Sequence, residues 1–127
     1  MTGGTLLLRQ INPSFIQEGR VTSQAFRPTP KDKQLLSVYD GDLIEPAAAV
    51  HHFIEVLECR SAGCMAVTRA ECSGFELDVR SDPDPFPEHA VIDFAVLNEG
   101  QKKSASKRLR DHAETRGWLH KLSSFEK

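Results

Sequence analysis

The chain has 127 residues and a formal net charge of −2, with 39% of its residues hydrophobic and 27% charged. That length fits one domain able to bury its own core, and the composition is ordinary for a folded protein. No run of ~18 apolar residues suggests a membrane span, and "MTGGTLLLRQINPSF" lacks the basic region of a signal peptide, so a cytoplasmic protein is expected.

"TLLLRQI" is a short apolar run that predicts a strand. "NPSFIQEGR" carries turn signals, opened by Asn12-Pro13 and closed by Gly19. "VTSQAF", β-branched and aromatic, predicts a short strand. "RPTPKDK" holds two prolines, which cannot donate to a ladder, and reads as a loop. "QLLSVY" is another strand and "DGD" a turn. "EPAAAVHHFIEVLECRSAG" is the clearest helix. Pro46 suits its first turn, Val50, Phe53, Ile54 and Leu57 form one apolar stripe, and Gly63 is a natural stop.

"CMAVTRA" predicts a strand, "ECSG" a turn and "FELDVR" a half-buried strand, with Phe75, Leu77 and Val79 on one face. "DPDPFP" links it to "AVIDFAV". There Ile92, Phe94 and Val96 share the core side, and His89, Val91, Asp93 and Ala95 the other. "KKSASKRLRDHAETR" predicts a second helix with Ala105, Leu109, His112 and Ala113 inward and Gly117 as its stop. Trp118, Leu119, Leu122 and Phe125 dock the tail. Three strands, a helix, three strands and a helix make an α+β domain over residues 1–127. The expected sheet is mostly antiparallel, of five or six strands, with two helices packed on one face.

Charge is unevenly placed. Residues 101–127 hold eight Lys or Arg against three Asp or Glu, while the first hundred hold eight against fifteen. This basic C-terminal helix and tail either face the acidic part of the same molecule or an acidic partner. Lys103, Lys107, Arg108 and Arg110 are the candidate nucleic-acid contacts, since phosphate binding needs such charge. Cys59, Cys64 and Cys72 are too few and irregular for a disulfide framework. Their spacing also lacks the second close pair of a zinc site, and His51-His52 lies too far along its helix to complete one. Buried, inert thiols are expected, with no metal and no cofactor.

The stretch "SDPDPFPEHAVIDFAV" sets a proline-stiffened acidic corner and an ionisable ring at the mouth of a strand. His89 there either ties the loop by a hydrogen bond, contacts a partner, or acts as an acid or base. Asp82, Asp84 and Glu88 are the carboxylates nearby. Asp93 lies four residues on, about 13 Å along the strand, and cannot orient the ring. The leading expectation is a protein-interaction module that binds a partner through Asp82, Asp84, Phe86, Glu88 and His89, at low ordering cost.

Two resemblances bear on the first half of the chain. Arg9, then "VTS" at residues 21–23, then Glu76 resembles ADP-ribosyltransferases, which place an arginine on an early strand, a hydroxyl-bearing strand next and a glutamate late. The ordered set "LLRQI…EGRVTSQAF…LLSVYDGD…DPDPFPEHAVI", across residues 5–93, is similar to small bacterial proteins sharing an Arg…Gly…Ser-x-x-Phe…Leu-Ser-Val…His-Ala layout. It implies a bacterial accessory protein encoded within an operon, brings no activity with it, and marks Arg9, Gly19, Ser23, Phe26, Ser37 and His89. The alternative these likenesses imply is a small enzyme acting on a nucleotide or other phosphate-bearing substrate. Arg9, Ser23 and His89 would then surround one cleft, the arginine holding the anion and the histidine moving the proton. Nucleic-acid binding through the basic helix is the third expectation.

Overall fold

The computed structural model describes residues 1–28 and 34–122. The strands are β1 (Leu6–Gln10), β2 (Ile16–Gln17), β3 (Arg20–Val21), β4 (Leu35–Asp40), β5 (Gly63–Thr68), β6 (Asp78–Ser81), β7 (His89–Asp93) and β8 (His120–Lys121). The helices are α1 (Pro46–His51), α2 (Arg69–Ser73) and α3 (Glu99–Arg116). Six strands form one antiparallel sheet in the order β6-β7-β4-β1-β5-β8, and β2-β3 is a separate hairpin. The α+β class and the antiparallel six-stranded sheet stand as expected.

The helices divide between the two faces of the sheet instead of sharing one. Leu7, Leu36, Val38, Met65, Val67, Ala90 and Ile92 meet Ala105, Leu109 and Ala113 of α3 in the larger core. Leu8, Tyr39 and Ala66 point the other way and meet Ala49 of α1, with Phe53 and Phe86 beside them. The cause is in β5, where "GCMAV" is buried at every position. A strand apolar on both sides needs a cover on both sides.

Several elements depart from the sequence expectation. "SQAF" is a 3-10 turn, Ser23–Phe26, not a strand; its Ala25 and Phe26 are buried in the core that α3 also covers. The first helix stops well before Gly63. It widens into a π turn over His52–Val56, and Glu58, with φ of 53°, turns the chain out of helical conformation. "ECSG" is largely inside α2, whose start carries the Thr68-x-x-Glu71 capping box. β6 pairs only from Asp78, since Glu76 has a φ of 61°. β7 ends at Asp93, so Phe94 is buried but Val96 is 71% exposed. Within "RPTPKDK" residues 29–33 lie outside the described residues, as does Phe125. Among the described residues no helix is long and apolar enough to cross a membrane.

His112 is turned from the α3 core stripe to Glu71, its Nδ1 3.3 Å from a carboxylate oxygen. Arg116 holds the same carboxylate through two bonds of 3.1 and 3.0 Å and donates to the Ala66 carbonyl, so α2, α3 and β5 are tied together. Burial pushes the Glu71 carboxyl up, but the Arg116 bonds and charge, the Thr68 N–H and His112 outweigh it and hold the group below its ordinary 4.5. A carboxyl lowered on folding adds stability above its unfolded value and loses it as pH falls through the folded value. Glu71→Gln should therefore cost about 2 kcal/mol at pH 7. The difference from wild type should close below pH 4.5. Urea titrations at pH 7 and pH 3 check this; an equal difference at both pH values refutes the coupling.

Candidate functional site

β1 and β4 are paired only at Leu7↔Asp40 and Leu8↔Tyr39. Beyond that point the strands part, and Arg9 bridges the gap. Its Nε donates to the Ala25 carbonyl at 2.7 Å and its Nη1 to the Ser37 carbonyl at 2.8 Å. On the α1 side of the sheet this parting leaves a cleft of about 340 Å³. Leu8, Gln10, Ser37, Tyr39 and His89 line it from the sheet, Phe53 and Leu57 from the π turn and its end, and Pro85 and Phe86 from the β6–β7 loop. That volume sits at the lower end of small-ligand pockets, ~300–1,000 Å³.

The loop "DPDPFPE" positions its histidine by backbone bonding. Asp82 N–H donates to the His89 carbonyl at 2.9 Å, and His89 N–H closes a turn onto the Phe86 carbonyl at 3.1 Å, with Pro87 inside that turn. His89 is thereby drawn in until its side chain is 10% exposed. Register places Tyr39 opposite His89 and Ser37 opposite Val91, so Ser37 and His89 are diagonal neighbours on one face.

The His89 ring sits between two unlike environments. Nδ1 is 2.9 Å from the Asp82 carbonyl oxygen and 3.3 Å from its carboxylate Oδ2. Both are acceptors, so the proton of the neutral ring belongs on Nδ1. Nε2 then carries the lone pair, and it lies 3.2 Å from Ser37 Oγ. The Ser37 hydroxyl donates to it. Ser37 itself is exposed, at the cleft.

An aromatic group braces this arrangement. Phe86 packs 5.0 Å from the Tyr39 ring, 4.6 Å from His52 and 5.1 Å edge-on to His89. Burial, with Cys59 and Glu88 nearby, raises the Tyr39 phenol far above its ordinary value. It stays protonated and hydrogen-bonds His52 Nδ1 at 2.8 Å. Deeper in, Gln10 is 5% exposed. Its Oε1 accepts from Ser61 Oγ at 2.8 Å, and its Nε2 has no hydrogen-bond partner among the described residues.

Of the residues singled out by sequence, Arg9, Ser37, Phe86 and His89 line this cleft together, and Ser23 does not. Ser23 opens the turn beneath α3. The hydroxyl beside His89 is that of Ser37, which the Leu-Ser-Val step of the bacterial layout marked without giving it a role. Glu76 lines a separate depression with Phe75, Leu97 and Arg108. In the acidic corner, Asp84 is exposed, Asp82 and Glu88 are half-buried, and Phe86 and His89 turn toward the cleft. On α3, Lys103, Lys107 and Arg108 are exposed. Arg110 is held by Asp111 at 2.8 Å, Glu114 at 3.5 Å and the Val21 carbonyl.

Cys59, Cys64 and Cys72 are free thiols; Cys64 and Cys72 are buried as expected, but Cys59 is exposed. Burial pushes Cys64 and Cys72 up to about 12, out of the reactive range. Among the described residues no three His, Cys, Asp or Glu side chains gather where a metal ion would sit. No protein-family model, curated protein or solved structure matches the chain.

Proposed function

We propose that the protein is an enzyme acting on a small, largely apolar substrate bound in this cleft, with His89 as its proton-transfer group. One observation carries the reading: a histidine held by acceptors on Nδ1 turns its Nε2 lone pair to the Ser37 hydroxyl in the wall of an apolar pocket. A ring used only to tie its loop needs the Asp82 bond and nothing on the other side. A general base needs both a fixed tautomer and an acceptor facing the group whose proton it takes. Arg9 supplies positive charge to the same wall, suited to a carboxylate or a carbonyl oxygen that gains charge.

The partner-protein reading of the acidic corner keeps Asp84 and the exposed prolines, but Phe86 and His89 line the cleft. A contact surface without those two is small and polar, and we rank it second.

The test is ligand binding followed by amide and side-chain NMR. Phenylacetate and butyrate, added at millimolar concentration, should shift Ser37, Phe53, Leu57, Phe86 and His89. Leu57→Trp, at a 38% exposed position on the cleft wall, should fill the cleft and remove those shifts while leaving the rest of the spectrum in place. Shifts scattered over other surfaces, or none at all, would dismiss the reading.

A further inference from the structure

We infer that Ser37 is the nucleophile of an acyl-transfer reaction, and that the substrate class is a small ester or thioester with an apolar or aromatic acyl group. The inference rests on the cleft being the substrate site and goes further by assigning the bond made. Asp82, His89 and Ser37 form a continuous relay, from Oδ2 and the carbonyl of Asp82 to Nδ1 and from Nε2 to Oγ. Triads are recognised by such roles and distances, not by chain order or fold.

The oxygen that gains charge has a place to go. On β4, Gln34 and Asp40 direct their peptide groups to the β6–β7 side, with Asp40 N–H on the Glu88 carbonyl and Phe94 N–H on the Gln34 carbonyl. Alternation turns the Ser37 peptide group the other way, toward the parted strands, where Arg9 grips its carbonyl. The nucleophile's own N–H and the Arg9 charge thus lie on the side where a tetrahedral oxyanion would form. The remaining lining favours an acyl group over a phosphoryl group: Leu8, Val38, Tyr39, Phe53, Leu57 and Phe86 surround one arginine. A doubly charged phosphoryl group calls for more positive charge than one arginine supplies.

The reaction balances with water as the second substrate. Ser37 Oγ attacks the carbonyl carbon as its proton passes to His89 Nε2. The carbon–oxygen or carbon–sulfur bond to the leaving group breaks, and Nε2 returns the proton to the departing alcohol or thiol. Water then attacks the acyl-Ser37 ester, giving its proton to Nε2. The Oγ–carbon bond breaks, Ser37 recovers its proton, and a carboxylic acid leaves.

A butyl fluorophosphonate and p-nitrophenyl butyrate test this on the intact protein. One phosphonyl adduct should appear by mass and map to the peptide carrying Ser37. Ser37→Ala should abolish it, and His89→Gln should slow it at least 100-fold. With the ester, a burst of p-nitrophenolate should precede slower turnover. Independently of any variant's folding, ¹⁵N spectra of the wild-type ring should show His89 protonated on Nδ1 and bare on Nε2. A ring protonated on Nε2 overturns the assignment. So does phosphonylation that is absent or falls elsewhere while phenylacetate still shifts the cleft, a result that would leave the binding site standing. Loss of both labelling and binding would remove the cleft reading as well.

Discussion

Gly63→Ala should destabilise the protein by about 2–4 kcal/mol, because a left-handed backbone and a steric clash coincide at this residue. Gly63 has φ of 136°, and a Cβ there would press into the His120 carbonyl and stand 2.9 Å from Lys121 Cα. The strand that would have to move is β8, held to β5 by Leu119 N–H on the Cys64 carbonyl and Leu122 N–H on the Ala62 carbonyl, both 3.0 Å. The substitution should lower the urea midpoint with little change in slope, and amide protection at Leu119 and Leu122 should vanish first. Gly19→Ala is the control: φ is 77° but nothing lies within 4 Å of its would-be Cβ, so it should cost only about 1 kcal/mol. If Gly63→Ala were no worse than Gly19→Ala, β8 would not be packed on β5 as described.

The same glycine shows what a sequence conceals. Gly63 reads as a helix stop, since glycine after an apolar stripe commonly is one. Its actual requirement comes from β8, some sixty residues further along, and no local pattern records that approach. Elements with a local pattern were legible: "QLLSVY" as a strand by its apolar β-formers, Asn12-Pro13 as a turn, α3 and its stop at Gly117. Elements decided by tertiary packing were not. "VTSQAF" has strand-forming residues, yet Ala25 and Phe26 are pulled into the core and the segment curls into a 3-10 turn. The division of helices between two faces was written in the unbroken apolar run of β5, but such a run equally suits a strand buried in other ways.

Part of the candidate site was legible for a related reason. Arg9 and His89 stand out as polar groups on apolar strands, so a sequence can nominate them. Which hydroxyl meets His89 depends on the register between β4 and β7, and register comes from pairing over fifty residues apart. Both hydroxyls were marked in the sequence, but the catalytic place was given to Ser23, and Ser37 is the one nearest His89 in space. The role of Asp82 was hidden because its backbone carbonyl as well as its carboxylate holds the ring.

Phe86→Ala should act on stability and site together. Deleting a fully buried phenylalanine ring costs about 3–5 kcal/mol, and Phe86 is half-buried, so about 2 kcal/mol is expected. The larger effect should be on His89. Phe86 fills the space between Tyr39, His52 and His89, and its carbonyl anchors the turn that delivers the histidine. Without the ring, loop residues 82–88 keep their backbone bonds and the Asp82–His89 contact but lose their apolar brace, and the imidazole gains room to rotate. Phosphonylation at Ser37 should fall more than tenfold, a loss well beyond the fraction of protein unfolded, and the His89 ¹⁵N signals should move toward the averaged values of a free ring. Phe86→Leu, which keeps an apolar body in the same place, should recover most of both properties. Should Phe86→Ala lower stability yet leave the His89 tautomer and the Ser37 rate unchanged, the turn from Phe86 to His89 would be sufficient to fix the ring, and the aromatic group would serve the fold alone.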